Sequence, residues 1–323
     1  MPFVQISPAS GGHQVYYRLY PEGGANASNG RPKVLLLMGL GGIHGLWKFQ
    51  SEFLQQFCDV CALDNRGTGY SAQPRGEMRW TTARMAADSL AVMDHLGWEK
   101  VHIVGISMGG MIAQELAILA PERTASLALL ATYSSARLAL PTVKALLDLL
   151  RSTGWLTRDM KEMARASMRL NFPEDWLVQT QSSELHEGKE VTHQRWVNKA
   201  FILMALEVPP ELKSKGFKPP PRTHPDEMAK QLTAVLTHHV GKGRCAELRR
   251  RKVPVLVLTG SQDCLVRPVN STIIAEHFDT QVHVLDGVGH GLIFQDADAV
   301  NRLLESNIRA GERHSPPEVT SKL

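Results

Sequence analysis

Six short apolar runs, set apart by stretches of helical periodicity, constrain this chain more than any other feature. KVLLLM at 33–38, FCDVCALD at 57–64, KVHIVGI at 100–106, SLALLAT at 126–132, PVLVLTG at 254–260 and QVHVLD at 281–286 are rich in Val, Ile and Leu and lack strict alternation. Strands of that kind are buried on both faces, as in a parallel sheet covered by helices. Residues 46–56, 79–96, 108–119, 269–277 and 297–309 are long enough for the covering helices. Repeated strand–helix units predict an α/β fold with right-handed crossovers. HQVYYRLY at 13–20 alternates, and is expected to form an antiparallel edge strand.

Between residues 133 and 248 the pattern changes to helices and loops with no strand run. Val143, Leu146, Leu147 and Leu150 recur at i, i+3, i+4 and i+7, as do Val197, Ala200, Phe201 and Met204. That spacing predicts two buried helix faces. Pro-rich breaks at 208–225 interrupt the region, and the strand–helix pattern then returns. A pattern that stops and resumes predicts one α/β core (1–132 and 249–314) carrying an inserted helical cap (133–248). Residues 315–323 read as a polar, flexible tail. A chain of 323 residues can bury a large core without a disulfide or metal staple.

Composition removes several classes. Lys plus Arg (36) against Asp plus Glu (32) leaves a net charge of only +4. The one dense basic run is Arg249-Arg250-Arg251-Lys252, so no nucleic-acid partner is expected. No apolar stretch reaches the ~20 residues of a membrane helix. The opening MPFVQISPASGGHQ lacks the basic and apolar regions of a secretory signal. Cys58-x-x-Cys61 resembles a redox motif but lies in a strand run, where positions three apart face opposite ways. Both are expected to be core thiols. No His/Cys/Glu cluster has metal-ligand spacing, and neither a metal nor a cofactor is expected. The final Ser321-Lys322-Leu323 is the tripeptide read by the peroxisomal import receptor. It predicts that partner and a peroxisomal location.

Chemistry concentrates at Gly105-Ile106-Ser107-Met108-Gly109, a G-x-S-x-G sequence between a strand run and the helical MIAQELAILA. A serine on a tight strand-to-helix turn projects its hydroxyl above the sheet. Bulk two residues to either side would collide with the turn, which glycine avoids. A dinucleotide loop fits poorly, because Ser107 occupies its second glycine position. A phosphate-binding P-loop is excluded, since no G-K-[ST] follows. A serine needs a base beside it. Parallel strands end on one sheet edge, so residues just past those ends can meet. Asp263 and His290 follow the last two strand runs and complete the order Ser107…Asp263…His290; Asp286 is the rival acid. The backbone amides of Met108 and Leu40, in the Gly39-Leu40-Gly41-Gly42 loop, are the expected oxyanion donors.

With those residues placed, the chain resembles the α/β-hydrolase superfamily, in its serine-nucleophile, esterase- and lipase-like branch. DNRGTGYS at 64–71 resembles the family's turn after the fourth strand. MGLGG at 38–42 resembles its oxyanion loop, with Met38 where many relatives carry His. SQDCLVRP at 261–268 and GVGHGLIF at 287–294 resemble its acid and histidine loops. The resemblance implies an α/β-hydrolase fold, with the cap shaping the substrate pocket. Met160, Met163 and Met168 in that cap suit an apolar acyl chain. The expected activity is hydrolysis of lipophilic carboxylic esters. Acyl-CoA thioester cleavage, C–C bond hydrolysis and a ligand-binding receptor with little turnover are the alternatives.

Overall fold

The computed structural model describes residues 2–6, 12–22, 30–71, 79–135, 140–220 and 223–314. The C-terminal tripeptide, the rest of the tail (315–323) and Leu138 of the cap lie outside them. Ten strands are present among these residues: β1 (Phe3–Gln5), β2 (Gln14–Tyr20), β3 (Lys33–Leu37), β4 (Asp59–Leu63), β5 (Val101–Ile106), β6 (Thr124–Leu130), β7 (Thr180–Ser183), β8 (Lys189–Thr192), β9 (Val255–Gly260) and β10 (Val282–Leu285). Eight of them form one sheet in the order β1-β2-β4-β3-β5-β6-β9-β10. All pairings from β4 to β10 are parallel, while β1 and β2 are antiparallel.

The core helices are α1 (Lys48–Leu54), α2 (Thr82–His95) and α3 (Met108–Leu119). The insertion supplies α4 (Val143–Ser152), α5 (Met160–Asn171), α6 (Glu174–Val178), α7 (His193–Leu206), α8 (Pro210–Lys213) and α9 (Pro225–Thr237). The core resumes with α10 (Ala246–Arg250), α11 (Val269–Phe278), α12 (Leu292–Gln295) and α13 (Ala297–Arg313). Alternate residues of each strand feed two apolar layers. Leu35 and Leu37 pack with α2, α3 and α11. Val34 and Leu36 pack with α1, α13 and residues of α5 and α7. Each fully buried Leu contributes about 1.5–3 kcal/mol, so both layers add to the stability of the sheet they cover. Cys61 falls in the first layer and Cys58 in the second, so the two thiols lie on opposite faces. No helix among the described residues is long and apolar enough to cross a membrane.

Three expectations require correction. β2 is not an edge strand: it pairs antiparallel with both β1 and β4, and β1 holds the edge. The insertion is not strand-free, since β7 and β8 form an antiparallel hairpin. Its residues, TQSS and KEVT, are polar and largely exposed, and so leave no apolar run to read. The third correction concerns α4. Val143, Leu146 and Leu147 point outward, at 76%, 47% and 40% exposure, while Ala145 and Asp148 are buried. Asp148 turns inward because Arg169 of α5 grips it with two hydrogen bonds of 3.0 and 2.7 Å. The second periodic set behaves as expected, with Val197, Ala200 and Met204 buried on α7.

Candidate active site

Ser107 sits between β5 and α3 at φ 55° and ψ −123°, a backbone conformation that non-glycine residues rarely adopt. The turn is tied in place. The Ser107 amide donates to the Leu130 carbonyl at 2.9 Å, and its carbonyl accepts from Thr132 Oγ1 at 2.7 Å. Space dictates the flanking glycines. A Cβ on Gly105 would lie 2.2 Å from the Gly109 carbonyl oxygen, and one on Gly109 would lie 1.9 Å from that of Leu37. The strand-to-helix bend therefore closes only without side chains at those positions.

His290 follows β10 and Asp263 follows β9. Their rings and carboxylate meet at 2.8 Å through Nδ1 and Oδ2. Both side chains are buried, with that of Asp263 wholly inaccessible. The other carboxylate oxygen accepts from the amides of Leu265 (3.0 Å) and Val266 (2.8 Å). An ionised carboxylate can only accept, so Nδ1 of His290 donates and Nε2 is left as the acceptor. Asp286, the rival acid, is exposed and accepts from Ser261 Oγ at 3.0 Å, away from the imidazole. The Ser107 hydroxyl and His290 face the same cavity without hydrogen bonding to each other. Such contacts commonly tighten only when substrate is bound.

That cavity, about 320 Å³, is roofed by the insertion. Leu149 and Ser152 from α4, Thr153 just past its end, Ser167 and Leu170 from α5, Phe201 from α7 and Met228 from α9 close over the loop Gly39–Gly42. A second chamber of about 410 Å³ adjoins it, sharing Gly41, Leu46, Thr153, Phe201 and Met228 as a common wall. No Lys, Arg, Asp or Glu lines either chamber among the described residues.

The amides of Leu40 and Met108 make no hydrogen bond among the described residues. Both residues border Ser107, Met108 as the next residue and Leu40 in the cavity wall. The loop that carries Leu40 is held from three sides. Asn65 Nδ2 donates to the Met38 carbonyl at 2.9 Å. Asp64, fully buried, accepts from the His44 amide (2.7 Å) and from His44 Nδ1 (2.9 Å). Gln231 of α9 accepts from the Gly41 amide at 2.9 Å and donates to the Arg66 carbonyl at 3.0 Å. Gly41 itself has φ +66°, and its face abuts the Met228 methyl. Gln231 is the residue that sequence reading missed. It lies in the insertion, far along the chain from the loop it supports, and one Gln on a helix carries no motif.

Buried polar groups elsewhere are pushed from their ordinary behaviour without touching this cavity. Burial first, then the nearby Arg244 and His239, lowers the pKa of His238 to about 3. Burial raises the Cys58 thiol to about 12 and the Cys61 thiol further still. No group of three or more His, Cys, Asp or Glu side chains among the described residues could hold a metal ion.

Known proteins resemble this chain over most of its length. A protein of Azorhizobium caulinodans named "Putative carbamate hydrolase RutD" is 28% identical over 305 residues, spanning 94% of this chain and 97% of that protein. A hydrolase from Pseudomonas aeruginosa PA01 superposes with a TM-score of 0.66 at 24% identity, covering 95% of this chain and 97% of that one. The enol-lactonase of Burkholderia xenovorans LB400 does so with a TM-score of 0.69 at 19% identity, covering 95% and 100%. At these identities the structural likeness speaks for the fold alone. The family described as "alpha/beta hydrolase fold" matches residues 32–297, from the first parallel strand through the histidine loop to the start of the last helix, and the chain belongs to that family.

Proposed function

We propose that this chain is a serine hydrolase of neutral, lipophilic carboxylic esters, working through an acyl-enzyme. The observation that carries the reading is the His290–Asp263 pair, 2.8 Å apart, delivered to the apolar cavity that the strained Ser107 faces. In this reading His290 Nε2 takes the Ser107 proton as Oγ attacks the ester carbonyl. The resulting oxyanion is held by the Leu40 and Met108 amides, each worth about 3–4 kcal/mol in the transition state. Collapse expels the alcohol, which receives the proton from His290. Water, deprotonated by the same nitrogen, then releases the acid. Asp263 keeps the imidazole in the required tautomer and stabilises its charged form.

The relatives favour a second reading on the same residues, hydrolysis of a carbamate. Their names support it, and the serine chemistry would be unchanged. A carbamate anion buried without a cation would be costly, however, and the described cavity walls supply no Lys or Arg. Thioester cleavage needs the same three side chains and differs only in the leaving group.

The test is direct. The wild-type chain should hydrolyse p-nitrophenyl acyl esters and take a fluorophosphonate label, and Ser107→Ala should do neither. Labelling of Ser107→Ala at the wild-type rate refutes the assignment. Faster turnover of a carbamate than of every neutral ester would favour the second reading.

A further inference from the structure

The cap presents apolar side chains to solvent where a chain of this composition could have buried them. Trp155 and Leu156, between α4 and α5, are 60% and 54% exposed. Met160 opens α5 at 46% exposure and also lines the outer chamber, so it stands at that chamber's mouth. Ala205 of α7 lines the same chamber, and its neighbours Ile202 and Leu206 are 57% and 58% exposed. Exposed apolar side chains thus sit on the two helices and the loop that also line the outer chamber, which adjoins the cavity of the nucleophile; they are called the rim below.

Charge is arranged beside it. Arg158 and Lys161 are exposed on either side of Met160 with the exposed Asp159 between them, and Arg165 is exposed five residues further along α5. None of the three cations has an ion-pair partner among the described residues, where Glu162 pairs with Arg169 and Glu174 with Lys144. Apolar side chains with a Trp, bordered by unpaired cations, match the interfacial zone of a membrane carrying anionic headgroups.

We propose that this rim docks on an anionic lipid surface, from which a lipophilic substrate enters the outer chamber. A second copy of the chain seated on the same rim would cover the mouth, whereas a bilayer would supply it. The substrate part rests on the proposed esterase reading; the docking part does not.

The experiment measures docking without turnover. Full-length Ser107→Ala protein is sedimented with vesicles of phosphatidylcholine, with and without phosphatidylserine. Binding is expected to the mixed vesicles and to be weaker on phosphatidylcholine alone. Lys161→Ala and Arg165→Ala should each weaken it about fivefold. Leu156→Glu with Leu206→Glu should lower it by more than tenfold. In the Ser107 background these four substitutions leave p-nitrophenyl acetate hydrolysis at the wild-type rate, which shows that the cap is folded. Equal sedimentation of wild type and variants, or none with either vesicle, overturns the proposal. So does a dimer in light scattering that Leu206→Glu converts to a monomer, since the rim would then be a self-interface. Absence of esterase activity with vesicle binding intact would remove the substrate reading and leave the docking one standing.

Discussion

Gln231→Met isolates the support that the cap gives to catalysis. Methionine keeps the length and most of the volume of glutamine but neither accepts nor donates a strong hydrogen bond. Two bonds vanish, from the Gly41 amide (2.9 Å) and to the Arg66 carbonyl (3.0 Å), at a side chain with no solvent exposure. A buried polar group left without a partner costs about 1–3 kcal/mol, so the folded state should lose about 2–6 kcal/mol in all. Catalysis should suffer separately. Gly41 holds a left-handed backbone angle, and the peptide before its nitrogen is free to rotate once Gln231 lets go. The Leu40 amide, one peptide earlier, then points at the developing oxyanion for only part of the time. Complete loss of one oxyanion donor costs about 2.7–4 kcal/mol. A partial loss corresponds to a fall in kcat of about tenfold to a hundredfold, with KM little changed. Steady-state kinetics on a soluble short-chain ester read this, alongside the affinity of a trifluoromethyl ketone that forms the tetrahedral adduct. Adduct affinity should fall in step with kcat, while affinity for the product acid should not. A folded Gln231→Met protein with wild-type kcat and wild-type adduct affinity would refute the reasoning, leaving Gln231 a packing residue only.

Gly109→Ala should destabilise the chain by about 3 kcal/mol or more in urea denaturation, because its methyl meets the Leu37 and Met38 carbonyls at 1.9 and 2.8 Å. His238 stays neutral in the native chain down to about pH 3, whereas the unfolded chain protonates it near pH 6.5. Stability is therefore full above about pH 6.5 and falls on acidification, by about 1.4 kcal/mol per pH unit from this group, and His238→Asn should flatten the slope measured between pH 6.5 and 5. Ellman's reagent should leave Cys58 and Cys61 unmodified in the native chain, since burial raises both thiols; rapid reaction at either would contradict their placement. A fluorescent fusion placed ahead of the chain should enter peroxisomes and turn cytosolic on deletion of Leu323; a diffuse full-length fusion would refute that reading.

The sequence made the sheet's centre legible because β3 to β6 and β9 are buried on both faces and so appear as unbroken apolar runs, although β10 at the edge is half-exposed. The bend at Ser107 was legible because sterics demand glycine at 105 and 109. What remained hidden is informative. β7 and β8 are short, polar and solvent-facing, and period-two patterning vanishes when neither face is buried. Residue spacing on α4 located the apolar stripe correctly but could not say which way it faces. That choice depends on Asp148 finding Arg169, a pairing between two helices that no local rule foretells. β2 looked like an edge because Phe3–Gln5 is too short to register as a strand before it is seen paired. Gln231 was hidden for the same reason as Arg169: its partner lies in a different part of the chain.

The inward carboxylate of Asp148 also fixes what the cap can do as it moves. Rolling α4 over to hide Val143, Leu146 and Leu147 would strip Asp148 from Arg169 of α5, whereas Arg151, on the same helix as Asp148, would turn with it. The helix can tilt or lift as a unit with α5, but it cannot conceal its oily side by spinning about its own axis. Whatever environment the chain works in must tolerate that side permanently.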